Sequence, residues 1–399
     1  NQSQSLAYLL GGTGTGKYPA PVTLNFTHAL AKVRITPSDE AINKVQSLQL
    51  YTYTQCTYKK GKAGQGSQEG WIEMKKCEYT ENGNAITCWE ANVVPGYEIK
   101  KLRANGTEER NLSAAFTPEA GKFYNITLNY DKGYNLSADG RTYEVYNANG
   151  LLAWNKAARN DLSINCTLTD DIDLTGKEWT PIGDYNNRYT GTFDGGNHTI
   201  TGLTINQYGS YVGMIGFLDS GGTVQNLTLE NVNITGNVHI IYGGGDIVGS
   251  VVGDNHGTVT ACTASGNVSG TFCIGGVVGW NHGTVTACYH ASGNVSGTSH
   301  IGGVAGRNTS GTVTACYHAS GNVSGTSNVG GVMGYNISGT LTACYWSGLP
   351  DNDNGGATKV DGTTVTWQNA VDAMNTALQS AGSEWRYELT GALPTLKKQ

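Results

Sequence analysis

Between residues 206 and 349 this chain of 399 residues has a single basic side chain, Arg307, and only four acidic ones. Charged residues make up 14 % of the whole and the formal charge is −6. Residues 1–132 hold 15 Lys and Arg against 12 Asp and Glu, while residues 133–399 hold 10 against 19. A nucleic-acid partner needs a basic footprint, and most of the chain has none. A polybasic membrane patch is missing as well. Proline is scarce, with 8 residues, which argues against a collagen-like or Pro/Gly-rich disordered chain. No C-x-x-C pair occurs among the nine cysteines, which fit neither a dense disulfide framework nor a zinc site. No apolar run approaches the length of a membrane span, so no direct transmembrane segment is expected. The chain opens on Asn1 with no initiator Met and no signal-peptide core. It is read as a mature piece whose export signal has been removed.

Glycine is abundant, with 57 residues, and it recurs at fixed places. The block "TVTACYHASGNVSGTS" occurs twice without change, at 284–299 and 312–327. Around it four copies align: "VGSVVGDNHGTVTAC" (248–262), "IGGVVGWNHGTVTAC" (274–288), "IGGVAGRNTSGTVTAC" (301–316) and "VGGVMGYNISGTLTAC" (329–344). A degenerate copy, "VGMIGFLDSGGTVQNL" (212–227), has Leu227 where the others have Cys. Units this short cannot bury an apolar side alone, but stacked units can. Each strand then pairs with its equivalent one coil away. The expected ladders are Val285/Val313/Leu341, Ile274/Ile301/Val329 and Cys288/Cys316/Cys344. Asn255, Asn281, Asn308 and Asn336 form an amide ladder at a turn. Cys262 and its three equivalents are read as buried free thiols, whereas a pair among Cys56, Cys77 and Cys88 is left open for a disulfide. The glycine pairs 275–276, 302–303 and 330–331 imply close backbone approach or positive φ. Val285 and Cys288 both read as inward, three residues apart, which requires a corner or bulge between them.

Two aromatic sets recur with the repeat. Tyr289, Tyr317 and Tyr345 are followed by His290, His318 and Trp346. Trp280, Arg307 and Tyr335 follow the glycine turn. Facing solvent, either set makes a stripe with one member per strand spacing, roughly 4.8 Å, suited to stacking on sugar rings. Facing inward, it rigidifies the coil. The acidic candidates are weaker. Asp170, Asp171, Asp173 and Asp194 read as turn and cap residues. A glycosidase pair would need two of Asp219, Asp246 and Asp254, or Asp173 with Asp194, and no pair recurs with convincing context. "GGTGTGK" (11–17) lacks the spacing of a phosphate loop. No catalytic residue, metal site or cofactor is expected. The N-x-S/T triplets at Asn267, Asn294 and Asn322 are taken as chance in a chain rich in these residues.

The repeats resemble the Glug motif of bacterial surface proteins. "LTDDIDLTGKEWTPIGDYNNRYTGTFDGGNHTITGLTI" (168–205) is similar to the segment that leads into such repeats. The resemblance spans about 134–399 and implies a parallel β-solenoid, with a short helix near 151–158. In the N-terminal part, "PVTLNFTHALAKVRITP" (21–37) and "FTPEAGKFYNITLNY" (116–130) resemble the fimbrillin type of pilin. They imply an all-β chain whose β-sandwich, of fimbrillin or transthyretin-like type, occupies 1–132 and whose solenoid occupies 133–399. His28 is read as a packed strand residue. The segment "WQNAVDAMNTALQSA" (367–381) places Ala370, Met374, Ala377, Leu378 and Ala381 on one helical face. It is read as part of a cap, about 350–399, over the open solenoid end.

These resemblances imply a cell-surface or fimbrial lipoprotein of the outer membrane, acting as an adhesin or as a pilus tip or accessory subunit. The expected partners are other pilus subunits, or glycans and proteins of host or bacterial surfaces. The alternatives are a stalk without a ligand and, behind it, a polysaccharide-active β-helix enzyme.

Overall fold

A computed structural model describes residues 10–14, 25–59, 62–81, 83–129, 131–237 and 245–399. Residues 15–17 of the glycine-rich "GGTGTGK" lie outside them. The chain divides into two compact units, Asn1–Asp131 and Lys132–Gln399. No helix among the described residues is long and apolar enough to cross a membrane.

The first unit holds two four-stranded sheets. In one, Ala31–Pro37 lies between Phe123–Leu128, its parallel neighbour, and Asn84–Val93, its antiparallel neighbour; Lys75–Glu81 completes the sheet. In the other, Leu48–Lys59 lies between Lys62–Glu73 and Ile99–Ala104, with Glu108–Phe116 at the edge. Ala31–Pro37 alternates strictly between buried and half-buried positions, as a strand with one wet face must. Ala31, Val33 and Ile35 meet Leu48, Leu50, Trp89, Ala91, Ile99 and Leu102 in one shared core. His28 is exposed, contrary to its reading as packed: burial begins at Ala29 and the alternation at Ala31, beyond the strand that holds His28. Cys77 and Cys88 face each other across two antiparallel strands, and both are free, as is Cys56.

The second unit is a stack of coils whose parallel strands pair with their equivalents one repeat on, which fits a β-solenoid. Three strand stacks run through the repeats. One contains Thr258–Ser269, Thr284–Thr286 and Thr312–Thr314; a second contains Ile247–Gly249, Cys273–Gly275 and Ser299–Gly302. The third contains Ile215–Leu218, Val252–Asn255, Val278–Asn281, Ala305–Thr309 and Met333–Ile337. Val285 pairs with Val313 and Val313 with Leu341; Ile274 pairs with Ile301 and Ile301 with Val329. Leu227 is in register with Cys262, which explains the exchange of Leu for Cys at a dry position. The Asn255 amide donates to the side-chain oxygen of Asn281 at 2.7 Å, Asn281 to Asn308 at 2.8 Å, and Asn308 to Asn336 at 3.0 Å.

The corner between Val285 and Cys288 is a left-handed residue. Ala261, Ala287, Ala315 and Ala343 have φ of 51°, 53°, 52° and 49°, and Asn226 of the degenerate copy has 54°. One αL residue turns the chain so that valine and cysteine, three apart, both point inward. The cost of αL for alanine, roughly 1–2 kcal/mol, is offset by burial: Ala287 and Ala315 are fully buried. The paired glycines serve close approach, because neither member has positive φ. A Cβ on Gly303 would lie 2.2 Å from the carbonyl oxygen of Gly331 and 2.5 Å from the His318 ring.

The two ends of the stack are closed differently. At the N-terminal end the helix Ala148–Ala158 buries Leu151, Trp154 and Ala158. The Asn147 side chain accepts the N–H groups of Asn149 and Gly150 and so fixes its start. At the other end the cap differs from the sequence expectation. The helix Trp367–Ser380, started by a Thr366–Asn369 capping box, buries Ala370, Val371, Met374 and Leu378. It packs with Ala287, Ala315, Tyr317 and Ala319, so it covers one side of the coils. The last coil is closed by residues 350–359. Asp353 accepts four backbone N–H groups there, from Val332, Met333, Gly355 and Ala357, and Thr358–Lys359 pairs with Tyr345–Trp346.

Candidate functional site

The Tyr-His row is architecture. Tyr289 and Tyr317 stack at 4.4 Å with rings 9° from parallel, but Tyr317 is buried. It packs against Tyr387 and Trp367 of the C-terminal segment, and its hydroxyl donates to the Pro394 carbonyl. Tyr289 and Tyr345 are half-buried beside the same segment. His290 and His318 are fully buried, and Trp346, which continues their row, is 4 % exposed. Strand alternation separates the two sets. Tyrosines turn toward the covering helix and histidines turn into the coil, where the side-chain-free Gly276 and Gly303 make room for the rings. Tyr317, His290, His318 and Trp346 are therefore removed from the candidate surface.

Trp280, Arg307 and Tyr335 lie on the third strand stack. Register places Phe217, Asp254, Trp280, Arg307 and Tyr335 above one another, one per coil. The Asn ladder, one residue on, points inward and holds the turn, so this row lies at the outer edge of the strands. The Arg307 guanidinium sits 4.2 Å over the Trp280 ring and 6.0 Å from that of Tyr335. Trp280 donates its indole N–H to the Thr309 hydroxyl at 3.0 Å. Trp280 and Arg307 are half-buried and Tyr335 is 36 % exposed.

The row belongs to a longer run of rings. Phe217 stacks on His256 at 5.0 Å, His256 on His282 at 4.3 Å, and His282 meets Trp280 at 4.8 Å. At its far end Tyr335 meets His300 at 4.9 Å and His300 meets Phe272 at 4.8 Å. At the near end Tyr185, 61 % exposed, lies edge-on to Phe217 at 6.4 Å, and Arg188 covers the same ring at 4.6 Å. Burial holds His282 and His300 below the ordinary imidazole range, so both are neutral at physiological pH. Two cations and a line of π faces make a surface for ring stacking and hydrogen bonding.

His256, His282 and Phe217 were not singled out by sequence reasoning. The trace was present: "N-H-G" occurs in two successive repeats, at 255–257 and 281–283, and gives way to a longer turn in the next two. The remaining acidic candidates take structural parts. Asp173 accepts the Thr175 N–H, and Asp194 binds Gly196 N–H and the amides of Gln225 and Asn226. Asp171 accepts the Thr199 N–H, and Asp246 the N–H groups of Thr271 and Phe272.

No family model matches the chain. Halomucin of Haloquadratum walsbyi is 38 % identical over 111 residues, 27 % of this chain and 1 % of that protein. A protein of Evansella cellulosilytica described as a candidate Gly-rich membrane protein is 38 % identical over 99 residues, 23 % of this chain and 11 % of its own length. The chain thus spans only a small part of the curated relatives it matches. Among solved structures, a Bacteroides ovatus protein described as a candidate immunoglobulin A1 protease aligns with a TM-score of 0.49 at 18 % identity, over 65 % of this chain and 93 % of that one. A candidate cell adhesion protein of Bacteroides thetaiotaomicron aligns with a TM-score of 0.20 at 19 % identity, over 32 % and 60 %.

Proposed function

We propose that this chain is a bacterial cell-surface adhesin without catalytic activity. In this reading a fimbrillin-like β-sandwich carries a Glug-type β-solenoid, and the solenoid recognises glycans or proteins through the face that runs from Trp280 over Arg307 to Tyr335, with the buried Phe217 beneath its near end. The observation that carries it is the series of ring contacts from His256 through His282 to Trp280, continued by Arg307, which sits over Trp280 and 6.0 Å from the Tyr335 ring. Aromatic faces bind the apolar sides of sugar rings, and an arginine between them supplies donors for hydroxyl or carboxylate groups. Assembly into a pilus, export as a lipoprotein and residence at the outer membrane belong to the same proposal. They are supported by the resemblances of residues 21–37, 116–130 and 168–205.

The test is a screen of the full chain against glycan and extracellular-matrix arrays, with Trp280→Ala/Tyr335→Ala beside it. Binding that the double variant loses supports the adhesin. No binding by the folded wild type favours a stalk, for which the polar Thr, Ser and Asn turns would suffice.

A further inference from the structure

We infer that Asp254, His256 and His282 form a binding site for a divalent transition-metal ion of the zinc class, built into the outer face of two adjacent coils. One ligand atom from each of the three residues lies within 4.8 Å of the other two. The Asp254 Oδ1 stands 3.4 Å from the His256 Nε2. Zinc holds nitrogen and oxygen ligands at about 2.0–2.2 Å in a tetrahedron, which sets them roughly 3.3–3.5 Å apart. The carboxylate and the first imidazole already have that separation. The repeat brings the third: His256 and His282 occupy the same place in successive coils, because Asn255 pairs with Asn281.

An independent feature points to an ion. The Asp254 side chain is 6 % exposed, and its Oδ1 has no hydrogen-bond partner. Its polar neighbour is the His256 Nε2 at 3.4 Å, and a buried carboxylate oxygen without a hydrogen bond is costly. Every other position of this row carries an aromatic ring or Arg307, so an acidic residue here needs a local reason. A cation between Asp254 and the two imidazoles provides one. The mixed nitrogen and oxygen donors suit zinc, copper or nickel; calcium needs six or more oxygens and finds one carboxylate. The rings stack 4.3 Å apart, 16° from parallel. Both nitrogens reach one ion when His282, half-exposed at the surface, tilts out of the stack. Three protein ligands leave the fourth position to water or to a donor atom of a bound partner.

The site exists only where the turn reads Asn-His-Gly. In the next two coils the equivalents of His256 and His282 are Thr309 and Ile337, and among the described residues the stack carries one such site. It stands apart from the glycan reading, since metal uptake is measured without any partner.

Calorimetric titration of the full chain with Zn2+ should show one saturable site per chain, and Ca2+ should give no binding heat. His282→Ala should weaken zinc at least about tenfold while its circular dichroism melt stays close to wild type. Asp254→Asn should do the same; His282→Ala carries the test if that buried variant fails to fold. Co2+ should give the visible bands of a tetrahedral site, and Cu2+ should quench Trp280 fluorescence in wild type but not in His282→Ala. No zinc uptake by the folded wild type overturns the inference. Uptake of equal affinity in His282→Ala also overturns it, because the ion would then sit on thiols or elsewhere.

Discussion

His290 and His318 lie one above the other inside the coil, with rings 11° from parallel and Nδ1 atoms 3.2 Å apart. One ring must donate and the other accept, so the contact excludes a charge on both rings at once. Burial pushes His290 down to about 3 and His318 to about 4. A histidine whose folded value is depressed contributes stability that is complete above its unfolded value, about 6.5. That stability is lost as pH falls toward the folded values, because the unfolded chain takes up protons first. Unfolding free energy is therefore expected to fall between pH 6.5 and 4, by up to about 1.4 kcal/mol per pH unit for each ring. His318→Phe, which keeps a ring in the row, should flatten the slope. Denaturant unfolding at a series of pH values measures both.

Gly303→Ala should be among the most damaging single-carbon additions in the chain. Its Cβ would meet the Gly331 carbonyl and the His318 ring at once, and backbone cannot yield. A loss of about 2–3 kcal/mol or failure to fold is expected. Gly221→Ala, where an added Cβ meets nothing within 4 Å, should stay within about 0.5 kcal/mol of wild type. Thermal melts of the two variants side by side decide it.

The αL corner sets a different pattern. Ala315→Val puts a β-branched side chain at φ 52° in a buried position and should cost more than about 2 kcal/mol. Ala315→Gly relieves the backbone and loses one methyl group, so it should lie within about 1 kcal/mol of wild type. Equal losses in both variants would mean that packing, not φ, governs the site.

Asp353 closes the last coil, and Asp353→Ala leaves four N–H groups without their acceptor. A loss of about 2–4 kcal/mol is expected. Hydrogen exchange should rise first at Val332 and Met333.

The ladders were legible in the sequence because a parallel stack repeats its neighbours: the valine, isoleucine, cysteine and asparagine rows are the alignment columns themselves. The direction of each row was harder to read. Tyr289 and His290 are adjacent, so they face opposite ways, yet the repeat ties them together in sequence. The αL alanine hid the parity of that strand, since alanine carries no mark of positive φ. The covering helix could be read from its apolar face, but its resting place, on Tyr317 and the Ala ladder, is a long-range fact. His256 and His282 escaped because their partner Asp254 occurs in one repeat only.

The most direct test compares two double variants of the full chain for binding to the array partner. Trp280→Ala/Tyr335→Ala alters the outer face; Tyr289→Ala/Tyr345→Ala alters the row beside the helix. The account expects the first to abolish binding with little change in melting temperature, and the second to lower the melting temperature and keep binding. Binding retained by the first and lost by a folded second variant would contradict it.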